Sequence, residues 1–377
     1  MGDKSNLDIT KNERTYTFAE LEKKNKNFFA PACKILANGE DIFGMGVQVT
    51  TLTVDHSVQK ASDCSLAIVP VPGERPKKPI ERIFPPETVV EVYMGYSDAL
   101  EAVFAGAASN IGFSFSSAGS PSITVTCGDF SQALMKGSVS CLWEKDQYNS
   151  FSEVVTKILS KYLDGSRLTK KVVEDAETAQ KPPFAQRGQS DYAFIKGVAD
   201  QNNIDFFISG NNVYFQKRQT PKPIVKLVWG ESLGSFSGSI QSARLVSEAV
   251  AKGSDIKGKP FTVQADIGAV KSQISGDRLF DFVKGAYENK TQMTVATEFK
   301  EPESAEKQAK DALIGRNKDF FTASGDCVGI PQIMAGRVLT IEGVGELLSG
   351  DYYVTGAKHT LNSSGYRTSF TLSEVHG

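Results

Sequence analysis

Histidine is nearly missing from this chain: His56, His359 and His376 are the only three among 377 residues. That leaves little for imidazole-based proton transfer, and no two of them have the spacing of metal ligands. Cysteine is sparse as well. Cys33, Cys64, Cys127, Cys141 and Cys327 are far apart, odd in number and never in a CxxC pair, which argues against a disulfide framework or a zinc site. Cys127 and Cys141 fall in strand-like runs with no nearby base, so they read as small buried hydrophobes. Neither sign of charge dominates: 42 Lys and Arg face 44 Asp and Glu, a net charge of -2. No global field therefore draws in nucleic acid or an anionic bilayer. No apolar run could span a membrane, and the polar start MGDKSNLDITKNERTYTFAELEKKNKN lacks the core of a signal peptide. A cytoplasmic, soluble protein without membrane insertion, cofactor or metal is expected.

The abundant residues point to strands. Thirty-three Gly, 23 Phe and 11 Tyr accompany short β-branched runs, and the length exceeds what one core usually holds. From Phe28 come short runs rich in β-branched residues, ACKILANGEDIF, GVQVTTLTVDHSV and CSLAIVPV, of which GVQVTTLTVDHSV alternates with a period of two. Six of the 15 prolines crowd PVPGERPKKPIERIFPP, which reads as a surface loop because proline removes a ladder donor. Strands resume at ETVVEVYMGY, AVFAGAASNIGFSF and PSITVTCGDF. Then the period changes to that of a helix in SFSEVVTKILSKYLDG, with Ser150 and Glu153 as a capping box and Gly165 past the end. SRLTKKVVEDAETAQKPPFA follows as an exposed connection with weak helical content. A second helix after Ser190 and a hairpin in IDFFISGNNVYFQKR complete a small mixed module. The remainder is again β-rich, interrupted by one helix near 302–314 that starts at Pro302. These elements divide the chain into an arm (1–27), a first β-domain (28–146), an α+β insertion (147–222) and a second β-domain (223–377).

Two motifs resemble catalytic ones. Gly230 to Gly234 spells GESLG, the GxSxG pattern that would make Ser232 a nucleophile, but the SFSGSIQSARLV after it is a poor helix. Gly253 to Lys259, GSDIKGK, approaches a phosphate-binding loop, yet Pro260 stands where Ser or Thr should reach magnesium, and FTVQADI continues as a strand. His56 reads as a strand residue beside Asp55, and His376 as part of a frayed end. His359 lies in SGDYYVTGAKHTLNSSGYRTSFTL. If 362–365 is a hairpin loop, Leu361 faces Tyr366, His359 faces Thr368 and Ala357 faces Phe370. His359 then shares the buried face with Tyr366, Phe370 and Leu372, with a bulge at Gly356. No catalytic, cofactor-binding or metal residue is assigned, and no interface residue is selected.

Four segments together carry a family likeness: VVEVYMGYSDALEAVFAGAASNIGFSF with PSITVTCGDF, QSDYAFIKGVADQNNIDFFISGNNVYFQKR, LVSEAVAKGSD, and AGRVLTIEGVGELLSGDYYVTGAKHTLNSSGYRTSFTL. In this order they resemble the late control protein D type of baseplate hub from contractile phage tails and the hub portion of VgrG proteins, over about Phe29 to Val375. The resemblance implies a mainly β fold with two β-barrel tube domains and the small α+β module, and a structural, non-enzymatic role. It implies a homotrimer whose six tube domains match a hexameric tail tube, or a tube-initiator protein, on one side and hold a trimeric spike on the other. Lys170 and Lys171 of the insertion are expected to face baseplate wedge or sheath components. The chain ends at Gly377, just after the last hairpin, so the spike is expected to be a separate polypeptide. Assembly into a phage tail baseplate or contractile injection particle follows. The rival readings are a cell-wall glycan hydrolase and a carbohydrate-binding β-rich module.

Overall fold

The computed structural model describes residues 5–9, 15–69, 76–115, 117, 121–163, 167–174, 178, 181–218, 221–288 and 290–375. A capping box between Thr17 and Glu20 starts α1 (Phe18–Lys24). Then come β1 (Pro31–Ala37), β2 (Glu40–Asp41), β3 (Val49–Ser57), β4 (Asp63–Ile68), α2 (Ile80–Ile83), β5 (Val89–Tyr96), β6 (Ala99–Ser114), β7 (Ser122–Gly128) and α3 (Ser131–Met135). The strands pair in the order β2-β1-β5-β6-β7-β4-β3. One parity of each strand is apolar, which puts Ile35, Leu52, Val54, Leu66, Val92 and Val125 in a single buried core. Of the proline-rich loop, 70–75 lies outside the described residues. The rest forms α2, which packs Ile80, Ile83 and Phe84 onto that core.

Between Val139 and Lys217 come β8 (Val139–Trp143), α4 (Phe151–Leu159), β9 (Lys170–Val173), β10 (Phe184–Gln189), α5 (Asp191–Gln201), β11 (Ile204–Ser209) and β12 (Asn212–Lys217), β8 falling just before the expected insertion at 147–222. Ser150 caps α4 by accepting the Glu153 N–H, while Gly165 lies outside the described residues. Phe151, Val154, Val155, Ile158 and Leu159 are buried against Ile195 of α5 and Phe206 and Phe215 of the hairpin. The turn needs Gly210: its φ is +58°, and an added Cβ would lie 2.8 Å from the Leu7 side chain. The connection expected to be weakly helical instead carries two strands. β9 adds parallel to β12 with Val172 opposite Tyr214 and Val173 opposite Phe215, and β10 pairs with β8. A four-residue strand such as β9 is too short to display an alternation in sequence.

The last third consists of β13 (Val225–Val228), β14 (Leu233–Ile240), β15 (Glu248–Ser254), β16 (Pro260–Asp266), α6 (Asp277–Glu288), β17 (Gln292–Phe299), α7 (Pro302–Asn317), β18 (Phe321–Val328), β19 (Val338–Glu342), β20 (Gly350–Asn362) and β21 (Gly365–Glu374). β16, β15 and β17 form a small separate sheet. Ala305, Ala309 and Leu313 of α7 are buried in the same cluster as Ala249 and Ala251 of β15. Helix α7 begins at Pro302, as its sequence indicates. Helix α6 escaped the sequence reading because Gly285 and regularly spaced charges mask the stripe of Leu279, Phe280, Val283 and Tyr287.

Both β-regions join one 13-stranded sheet through β3, which pairs antiparallel with β20. Two closed barrels were expected, and among the described residues neither region closes by strand pairing. The reason is local. Closure of the first region would require its end strand β3 to return to β1 or β2, whereas the hydrogen-bonding edge of β3 is taken by β20.

Candidate assembly surface

The two β-regions repeat one another. The first runs β3-β4-β7-β6-β5-β1 and the second β14-β18-β21-β20-β19-β13. Numbered by their order in the chain, the six strands of each region occupy the same places. The irregularities repeat too. β3 is bulged between Val49 and Thr51, and β14 between Leu233 and Ser235. β6 is bulged between Ala108 and Asn110, and β20 between Val354 and Gly356. At the latter pair the bulge hydroxyl bonds across the strand in both copies: Ser109 Oγ to Thr126 O at 3.0 Å, Thr355 Oγ1 to Thr371 O at 3.2 Å. The residue before each bulge makes the same two backbone bonds. Ala108 binds Glu87 N and Thr88 O, and Val354 binds Gly336 N and Arg337 O. Glu87 and Gly336 both have positive φ, 70° and 89°. One strand departs from the pattern, since β1 is antiparallel to β5 whereas β13 is parallel to β19.

Thr355 is where β20 changes neighbours. Before it, β20 pairs with β19, and after it with β3. This seam puts Leu52 opposite Leu361, Val54 opposite His359 and His56 opposite Ala357. His359 is fully buried, and its hairpin register matches the sequence expectation at Leu361–Tyr366, His359–Thr368 and Ala357–Phe370. The extra residue is Thr355, one place before the expected Gly356. Nε2 of His359 donates to the Ile333 carbonyl at 2.9 Å, so Nδ1 is the acceptor and takes the Tyr366 hydroxyl at 2.9 Å. Burial lowers its pKa to about 3, and the neighbouring His56, 5.8 Å away between ring centres, adds to the shift. His56 is lowered to about 4, also by burial. Both rings are neutral packing groups at the seam. They have no open face for a substrate.

The polar parity of the seam strands is Ser/Thr-rich in both regions. It shows Thr51, Thr53 and Thr126 in the first and Ser237, Ser324 and Thr371 in the second. Asp326 pairs there with Arg367 and Ser235.

The two motif look-alikes are turns. The Ser232 hydroxyl accepts the Val228 N–H at 2.9 Å and is followed by strand β14, so no nucleophile elbow forms. It borders a cleft of about 520 Å³ with Phe28, Tyr96, Tyr366 and Arg367, and no histidine lines it. Gly253 to Lys259 links β15 to β16, and the Asp255 carboxylate accepts the N–H groups of Lys257 and Lys259, which closes the loop on itself. His376 lies outside the described residues. Among the described residues no group of His, Cys, Asp or Glu could hold a metal, and no helix is long and apolar enough to cross a membrane. The described cysteines are all free thiols.

Sequence reading missed Arg337. It is buried, and burial lowers its pKa to about 10. It donates to Asn6 Oδ1, Asn6 O and Gln332 O at 2.9, 2.8 and 2.6 Å. Asn6 in turn donates to Ala102 O of β6 and to Pro331 O, while Leu7 and Asp8 accept from Ser209 and Tyr214 of the insertion. The N-terminal segment thus ties both regions and the insertion together. An isolated polar stretch far upstream gives no sequence signal of this.

The repeated β-region, joined edge to edge, is a fold that this chain shares with solved tail proteins. The structure is similar to the tail protein from Neisseria meningitidis MC58 (11% identity, TM-score 0.66, covering 92% of this chain and 97% of that one). It is also similar to the prophage MuSo2 43 kDa tail protein from Shewanella oneidensis (14%, 0.64, 92% and 98%). A third likeness is to the E. coli c3393 protein, a type VI secretion component described as similar to T4 bacteriophage tail proteins gp27 and gp5 (11%, 0.53, 91% and 77%). The chain belongs to the family described as Alg8 N-terminal domain, whose model matches residues 30–363. No curated protein matches the sequence.

Proposed function

We propose that this protein is a structural baseplate hub of a contractile phage tail or contractile injection system, close in role to late control protein D. In this reading it is a homotrimer that adapts a hexameric tail tube, or its initiator, to a trimeric spike. The observation that supports it best is the repeat of six strands in the same order, with two bulges at equivalent places. A threefold assembly of such a chain offers six near-equivalent units to sixfold neighbours. The domain organisation follows: an arm at 1–27, tube domains at 28–146 and 223–377, and the insertion at 147–222 facing outward toward wedge components. The Ser/Thr-rich parity of the seam strands is the surface for the tube lumen. The role is assembly and not catalysis, with synthesis in a bacterial cytoplasm and incorporation into the particle.

The test is the mass of the purified chain in solution, alone and with its spike partner, followed by imaging of the assembly. A trimeric ring with six similar lobes is expected. A protein that stays monomeric beside its spike overturns the reading. Clearing of a peptidoglycan suspension that is lost in Ser232→Ala would replace it with the glycan hydrolase.

A further inference from the structure

Among the described residues, β14 and the outer half of β6 are two of the strand edges that lack a neighbour, and the internal repeat specifies what each should receive. β14 ends the sheet, with β18 on one side and, at Leu233 alone, a single bridge to Trp229. β6 is covered on its β5 side as far as Ala107 by β5 and at Ala108 by Glu87 and Thr88. Among the described residues no strand pairs with that side from Asn110 onward. In the second region the corresponding stretch of β20 is the one that β3 covers. The equivalent of β3 is β14, and within one chain six strands of the sheet stand between β14 and β6.

We propose that β14 of one copy adds antiparallel to the outer half of β6 on the next, in the register that β3 makes with β20 inside each chain. The occupant is a second copy of this chain. The number of copies rests on the hub reading above, whereas the pairing itself rests on the repeat.

The register follows by counting from the shared bulges. Thr50 in β3 corresponds to Gly234 in β14, and Thr355 in β20 to Ser109 in β6. Leu52, Val54 and His56 then correspond to Phe236, Gly238 and Ile240, and Leu361, His359 and Ala357 to Phe115, Phe113 and Ile111. The internal pairs of the seam therefore translate into Phe236 opposite Phe115, Gly238 opposite Phe113 and Ile240 opposite Ile111. This is the parity that is buried at the internal seam. Phe115 is 77% exposed and Phe113 49% in the single chain, an unusual state for two aromatic rings on a strand edge. A Cβ at Gly238 would lie 3.3 Å from the Phe321 ring and 3.6 Å from that of Phe236, so Phe113 would meet those two rings there. The opposite parity places Ser237 against Ser114 and Ser239 against Gly112. The polar surface thereby continues across the join.

Directly opposed Cα atoms lie about 4.5–5.5 Å apart, within disulfide reach, whereas a partner displaced by two residues is roughly 8 Å away and beyond it. The experiment uses the full chain with Cys33 and Cys141 replaced by Ser, read by non-reducing gel and by native mass. A chain carrying both Ser114→Cys and Ser237→Cys is expected to oxidise into covalent oligomers that close at three. Mixing the two single variants should give covalent dimers only. The shifted pair Ser114→Cys with Ser239→Cys should cross-link far more slowly. Phe115→Ser, which alters an exposed ring and leaves the monomer fold intact, is expected to weaken self-association at least tenfold. Trimers without the Ser114–Ser237 cross-link, or equal cross-linking of the shifted pair, overturn this pairing and leave the hub reading standing. Cross-linking at the expected pair into open ladders in place of trimers keeps the pairing and overturns the threefold hub. A chain that neither cross-links nor associates overturns both.

Discussion

Acidification should loosen the seam between the two regions, by an amount the structure sets. His56 on β3 and His359 on β20 are both neutral in the fold, with pKa values lowered by burial from 6.5 to about 4 and about 3. Unfolded, both bind a proton near pH 6.5. The unfolded state therefore takes up more protons as pH falls, and the stability present above pH 6.5 is lost toward the folded pKa values. One unit is worth about 1.36 kcal/mol, so the 1.5 units between 6.5 and 5 remove about 2 kcal/mol per histidine, or about 4 kcal/mol together. Buried acids act in the other direction. Asp129 is raised to about 6 by burial, and Glu374 and Asp311 are raised as well, so protonating them in the fold offsets part of the loss. The comparison that isolates the histidines is wild type against His56→Gln/His359→Gln, each unfolded by urea at pH 7 and pH 5. Wild type should lose about 4 kcal/mol more than the variant over that interval. Equal losses, within about 1 kcal/mol, would show that the pair is not neutral and buried as described.

Arg337→Met should cost about 2–4 kcal/mol, because Asn6 and the Gln332 carbonyl lose their buried donor; urea unfolding reads it, and protease cutting near the N-terminus should rise. At Gly329 a new Cβ would sit 2.1 Å from the Tyr366 ring. Gly329→Ala should therefore displace the ring that donates to His359 and cost about 1–3 kcal/mol or more in a thermal melt. Ser232→Ala should lose about 1 kcal/mol, the bond to Val228 N, with no change in peptidoglycan turbidity. Burial raises the thiol of Cys127 to about 12 and raises those of Cys64 and Cys327 as well. All three should resist iodoacetamide in the folded protein and react once it is unfolded, as followed by peptide mass.

Much of this architecture is legible in the chain because local patterns coincide with it. The register around His359 follows from alternation plus a short loop, and both agree with the observed pairing. Helices α4 and α7 carry a cap and a first-turn proline. What fails is information that no local window contains. The pairing of β9 with β12 depends on a distant hairpin supplying an edge. The open arrangement of the two regions depends on β3 meeting β20, some three hundred residues later. The repeat itself is invisible as a sequence repeat: Leu52, Val54 and His56 have Phe236, Gly238 and Ile240 as counterparts, which share parity and little else. Arg337 and Asn6 stand 331 positions apart, and neither has a neighbour that hints at the other.

That separation has a consequence for how the protein is made. β3 leaves the ribosome early, while the strand that covers its edge is among the last to appear. At ~5–20 residues per second the edge waits roughly 15–60 s for its partner. For that interval the nascent first region presents a bare ladder able to recruit the wrong strand, its own β14 or that of a neighbouring polysome product included. Holding this edge apart until synthesis ends is a task for a chaperone or for slow folding, and yield should depend on it.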